Sequence, residues 1–201
     1  MNIIIQGLPE MVEINGVKYP ISCDFRTGMK FDEILDSDIS DVQKLLRTLR
    51  LYYPKKIPTD IHAAIDKVIW FYRCGKEEPK KEERERYKRR NSKEPAYSFT
   101  QDAPYIYAAF KEQYGIDLMT EEKLHWWKFM ALFESLSEDT KMAQIMYFRK
   151  ANVSGMSRDR RAYVNEMKKL YKLNQGKKLT LEERNAKWKE HIRMRYEEEA
   201  K

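Results

Sequence analysis

The chain has 201 residues, 42% of them hydrophobic and 35% charged, with only seven glycines and a formal net charge of +7. That is enough for one domain with a proper core plus an appendage, and it points to helices with solvated faces. No charge-free run reaches the ~18 apolar residues of a bilayer crossing, and two cysteines are too few for a disulfide framework, so neither a membrane-spanning helix nor a disulfide scaffold is expected. The positive charge is unevenly placed. Residues 1–74 balance ten basic against ten acidic side chains and 97–157 carry a slight acidic excess, whereas 75–96 and 158–201 hold surpluses of three and six.

In chain order, Met1 to Gly7 has neither a basic region nor a long enough apolar segment for a signal peptide, which places the protein in a cytosol with Cys23 and Cys74 as free thiols. Asn15-Gly16 between Met11–Ile14 and Val17–Ile21 is the signal for a two-residue hairpin turn at positive φ, and Ile3 to Ile5 is a candidate third strand. Helices follow: a short one with Phe31, Ile34 and Leu35, then one from near Ser40 to Pro54 with Val42, Leu45, Leu46, Leu49 and Tyr52 inward. A third begins after Pro58-Thr59, carries Ile61, Ile65, Val68, Ile69 and Tyr72, and stops at Gly75.

Lys76 to Pro95 has almost no apolar residue and is expected as a mobile loop or solvated helical extension, with the helices on either side packing together across it. Asp102 predicts the N-cap of a helix facing inward with Ala103, Ile106, Tyr107, Phe110 and Tyr114 and ending at Gly115. The next helix starts at Thr120, holds Glu121 and Glu122 at the positive end of its dipole, and is apolar almost all round through Leu124, Trp126, Trp127, Phe129, Met130, Ala131, Phe133 and Leu136. Such a helix has to be buried, and it is the expected hub. Ser137 is the predicted cap of a helix with Met142, Ile145 and Met146. An amphipathic segment from Ser157 to Leu173 follows, with Tyr163, Met167, Leu170 and Tyr171 on one face. The last helix opens on a capping box, Thr180-Leu181-Glu182-Glu183, and has a thin stripe of Leu181, Trp188, Ile192 and Tyr196, which suits a helix lying on the body or awaiting a partner.

Chemistry is hard to find in this pattern. His62, His125 and His191 stand far apart with no ligand spacing to each other or to the cysteines, so no metal or cofactor is expected. Cys74 with His125 is better explained by a helix end and a buried helix than as nucleophile and base, and the adjacent acids Asp32-Glu33 and Glu121-Glu122 point different ways. Trp126 and Trp127 with Tyr105 and Tyr107 lack the basic neighbours of a nucleic-acid stacking platform and read as core. The basic linker and tail remain an alternative, salt-sensitive nucleic-acid contact.

Five segments carry a family resemblance. Asp24-Phe25-Arg26-Thr27 with Phe31-Asp32-Glu33-Ile34, Ala64-Ile65-Asp66-Lys67 leading to Trp70-Phe71-Tyr72-Arg73-Cys74-Gly75, Asp102 to Phe110, Tyr114-Gly115-Ile116-Asp117-Leu118, and Leu124-His125-Trp126-Trp127-Lys128-Phe129 stand in the right order over residues 10–172. Together they resemble the gene-product-fifteen family of tailed phages infecting Gram-positive bacteria. Gly28, where a bulky residue is expected, and the tail beyond Lys172 depart from it. The resemblance implies a gene of the tail-morphogenesis block and a tail assembly chaperone. It carries over no functional residues.

The reading is therefore a mainly α protein, a compact helical bundle of about six to eight helices with a small N-terminal hairpin (1–23). A single domain is expected over 1–173, with the charged insertion at 76–95 and a basic helical extension at 174–201. Its expected role is non-enzymatic, in the cytoplasm of the infected host, without membrane contact. The expected partners are the tape-measure protein, the tail-tube protein or another assembly chaperone, contacted through Trp188, Ile192 and Tyr196 or the insertion; self-association and retention as a virion subunit are further options.

Overall fold

The computed structural model describes residues 3–76 and 95–174, together with 186, 188–190 and 193. The expectations for the insertion between Lys76 and Pro95 and for the capping box at Thr180 lie outside the described residues. Among those described there are eight helices and one two-stranded antiparallel sheet, so the chain is mainly α with an N-terminal hairpin. The contacts group it into two compact units. One comprises Met1–Glu78, Lys123–Ala131 and Glu182–Lys201, the other Pro79–Glu122 and Leu132–Leu181.

In the first unit, β1 (Met11–Ile14) and β2 (Val17–Pro20) pair from Met11 with Pro20 to Ile14 with Val17. Asn15 and Gly16 turn between them at φ 50° and 77°, the conformation that Asn-Gly reaches at least cost. Val12, Ile14 and Tyr19 are buried, while Met11 and Val17 face out. The third strand does not form. Ile3–Gln6 is a single helical turn, α1, because Gly7 at φ 75° reverses the chain and Pro9 has no N–H to give to a ladder.

Three capped helices follow. Asp24 accepts the Arg26 N–H at the start of α2 (Phe25–Asp36). Ser40 and Gln43 form a reciprocal capping box on α3 (Asp41–Tyr52), and Asp60 accepts the Ala63 N–H of α4 (Ile61–Tyr72). The buried stripe of α3 is narrower than predicted: Leu45, Leu49 and Tyr52 are inside with Thr48, whereas Val42 and Leu46 are exposed. The Asn15 amide donates to the Asp60 carboxylate at 3.0 Å, which ties the hairpin turn to the start of α4.

In the second unit, α5 (Ala103–Tyr114) ends at Gly115 with φ 67° and buries Ile106, Ala109 and Phe110, while Ala103 is exposed. The expected hub helix begins six residues late, as α6 (Trp126–Glu134). Two constraints hold its predicted first turns out of the helix. The Glu121 N–H closes a turn on the Asp117 carbonyl, and residues 124–126 pair with 23–25 through Phe25 N–H to Leu124 O at 2.9 Å and Trp126 N–H to Cys23 O at 2.7 Å. Residues of α6 through Ala131 belong to the first unit and those from Leu132 to the second. Helix α7 (Lys141–Lys150) is capped by Thr140 and not Ser137, whose carbonyl instead accepts the Thr140 hydroxyl to close a turn. Ser157, the expected start of the amphipathic segment, caps α8 (Arg158–Leu170), but Val164 is its buried residue, and Tyr163 and Leu170 are exposed.

Candidate functional site

The first unit is held by a run of aromatic rings supplied by separate chain segments. The Phe31 ring meets Tyr52 edge-on at 5.5 Å, Tyr72 at 4.9 Å and Trp188 at 5.8 Å between centroids. Tyr72 stacks on Trp126 at 5.2 Å, Trp126 on Phe129 at 5.7 Å, and Phe129 on Phe25 at 5.3 Å. Each ring contributes by area removed from water, about 1.5–3 kcal/mol for a full burial, and the offset and edge contacts add specificity of arrangement. The Tyr72 hydroxyl donates to the buried Asp32 carboxylate at 3.1 Å.

The two adjacent indoles of α6 serve the end of α4. Trp126 Nε1 donates to the Tyr72 carbonyl at 2.8 Å and Trp127 Nε1 to the Phe71 carbonyl at 2.7 Å. They satisfy carbonyls that the end of a helix leaves without intrahelical partners. Gly75, at φ 73°, completes that end, with the Trp127 ring where a side chain would stand. Gly28 is explained by the other indole: a Cβ there would stand closer than 3.0 Å to three atoms of the six-membered ring of Trp126. The bulky residue expected from the resemblance has no room beside this tryptophan.

His125 is a joint. Its Nδ1 accepts the Trp127 N–H at 3.0 Å, which leaves the proton on Nε2 for donation to the Pro9 carbonyl at 3.1 Å. That is the neutral tautomer, and burial holds its pKa below the ordinary imidazole value. Cys74, at φ 56°, belongs to the turn after α4. The Cys23 thiol is pushed up by burial and then by Glu10, which keeps it protonated and a poor nucleophile.

The second unit has its own joint, which the sequence reading missed. Asp102 makes no side-chain cap to α5; its carboxylate takes a two-pronged contact from Arg149, at 2.6 Å from Nη1 and 2.8 Å from Nη2. Both side chains are almost wholly buried. Arg149 spends two further donors on the Tyr171 carbonyl at 2.7 Å and the Ala96 carbonyl at 3.0 Å, and Asp102 also accepts the Ser98 N–H. One guanidinium thus fastens three chain segments to α7. The available signal was an arginine beside Tyr147, Phe148 and Ala151, where a charged residue needs a partner.

Of the three expected contact residues, Trp188 is only 5% exposed, seated against Phe31 in the first unit, as in the first of the two alternatives for its helix, lying on the body. Ile192 and Tyr196 lie outside the described residues. Among the described residues no cluster of three His, Cys, Asp or Glu side chains could hold a metal ion, and no helix is long and apolar enough to cross a membrane.

Four of the five segments that carry the resemblance meet in these joints: Asp24-Phe25 against Leu124-His125-Trp126, Trp70 to Gly75 against Trp126 and Trp127, and Asp102 against Arg149, which lies outside them. The sequence model of the Bacteriophage Gp15 protein family matches residues 4–173. The chain belongs to that family. As a Gp15 protein it is a bacteriophage structural or morphogenesis protein. No curated protein and no solved structure matches this Gp15 chain significantly. The Gp15 match ends one residue before Asn174, whose backbone N–H and carbonyl pair with the Gln101 amide at 2.9 and 3.3 Å. Trp188 lies beyond it.

Proposed function

We propose that this Gp15 protein is a non-enzymatic tail assembly factor that binds the tape-measure or tail-tube protein in the cytoplasm of the infected host until the tube polymerises. The observation that carries the reading is what the family's signature residues are used for. Phe25, Phe31, Tyr72, Trp126, Trp127, Asp102 and His125 are spent on ring packing and on fastening chain segments, which supports a scaffold role for them. Surface apolar side chains then supply the contact. Val42 and Leu46 lie one turn apart on α3, and Met119 and Leu170 are more than half exposed.

The test is affinity purification of the tagged protein from phage-infected cells in moderate salt, with bound proteins identified by mass spectrometry and nucleic acid quantified. Tape-measure or tube protein in stoichiometric amount, with little nucleic acid, supports the proposal. Nucleic acid without a tail protein, lost on raising the salt, replaces it with a nucleic-acid accessory role.

A further inference from the structure

The three described tryptophans of the first unit's core, Trp126, Trp127 and Trp188, are not equally well accommodated. The indole N–H groups of Trp126 and Trp127 each reach a backbone carbonyl. That of Trp188 is buried without a hydrogen-bond partner, and so is the hydroxyl of Tyr52, on the ring that shares Phe31 with it. A buried donor left unpaired costs about ten- to a hundredfold in the equilibrium for docking the group that carries it. Beside it Lys189 Nζ pairs with the Asp66 carboxylate at 3.0 Å, with the Asp66 side chain 55% exposed, a setting in which water and salt weaken the attraction. Trp188 also lies beyond the segment matched by the family, although it packs on Phe31, which lies within it.

We infer that the Phe31 face of the first unit is a docking seat for a helical segment with a bulky aromatic residue followed by a basic one, filled in cis by Trp188-Lys189 and yielded to a segment of the same chemistry on the assembly partner. The occupant seen defines what the seat accepts. An aromatic ring covers Phe31, and a cation one residue on meets Asp66. Its imperfect fit makes it displaceable, since a partner segment that pairs its polar atoms gains what Trp188 forgoes. The proposal takes the partner's identity from the tail-assembly reading, but the seat is tested without any phage protein.

The probe is a fluorescein-labelled peptide of residues 182–201, added to the full chain and followed by anisotropy. The Trp188→Ala chain, whose own segment has lost its anchor, should bind the peptide about tenfold more tightly than the unaltered chain does. Peptide with Trp188→Ala should not bind. Because Trp188→Ala could perturb the unit, the Lys189→Asp chain, which reverses the charge facing Asp66 and keeps Trp188, provides a second reading and should bind the peptide several-fold more tightly than the unaltered chain. Adding Asp66→Lys to it should abolish that gain. Equal binding by the unaltered, Trp188→Ala and Lys189→Asp chains would overturn the proposal. A dimeric unaltered chain that becomes monomeric on Trp188→Ala would also overturn it, by assigning the seat to a second copy. Failure of the infected-cell purification with success here would reject the partner and leave the seat.

Discussion

Gly28 lacks a side chain because Trp126 fills the space one would occupy, and this sets the most specific expectation for a single residue. Gly28→Ala has nowhere to go without moving an indole that stacks on Tyr72 and Phe129, so it should cost about 1–3 kcal/mol in urea unfolding despite the better helix propensity of alanine. An unchanged midpoint would remove the steric account. Arg149→Met leaves the Asp102 carboxylate buried without its cation and should cost about 3–5 kcal/mol, whereas the double change with Asp102→Leu should recover most of that loss in a double-mutant cycle.

His125 supplies a pH dependence. The folded state holds its pKa below the ordinary 6.5, so below that value the unfolded chain takes up a proton that the folded one refuses. Stability is therefore full above about pH 6.5 and falls as the pH is lowered from there to the depressed folded pKa. In His125→Gln that part of the acid sensitivity should vanish, as read from unfolding midpoints between pH 7.5 and 5.5. None of these three roles was legible in the sequence. A glycine's reason lies in a residue 98 positions away, His125 spends Nε2 on the Pro9 carbonyl, and Arg149 pairs with a carboxylate 47 positions away and with two backbone carbonyls, none of which sequence pattern reveals.

At the scale of elements, local signals read true where local chemistry decides. Asn15-Gly16, Ser40, Gly75, Gly115 and Ser157 mark turns and helix ends where the sequence predicts them, since a positive φ or a hydroxyl beside a free N–H is decided within a few residues. Element starts that depend on distant pairing were not readable. The Thr120 start of the hub helix fails because residues 124–126 are engaged by 23–25. Stripes also came out too wide: Val42 and Leu46 fit the α3 period but face out. Val42→Lys and Leu46→Lys should accordingly change stability by no more than about 0.5 kcal/mol, and loss of partner recovery in these folded variants would place the contact on α3. Trp188 is buried against Phe31, so its removal bears on stability. Trp188→Ala should lower the melting temperature, and Trp188→Phe, which keeps the ring and drops the unpaired N–H, should match or exceed the unaltered chain in scanning fluorimetry.

For the whole molecule, composition, helix content and hairpin were legible because each follows from patterning within one segment, and the five signature segments were legible as a family. The grouping into two units was not, since it depends on where α6 spends its two ends and on residues far apart in sequence. Function follows the same division: membership gives a phage structural or morphogenesis protein, and the assembly role is the proposal built on it. The most direct measurement is infection with a phage lacking this protein, with particles counted by electron microscopy and soluble tape-measure protein quantified in the lysate. The account predicts filled heads without tails, loss of soluble tape-measure protein, and rescue of both by the protein supplied from a plasmid. Tailed particles at normal yield, with tape-measure protein unchanged, would contradict it.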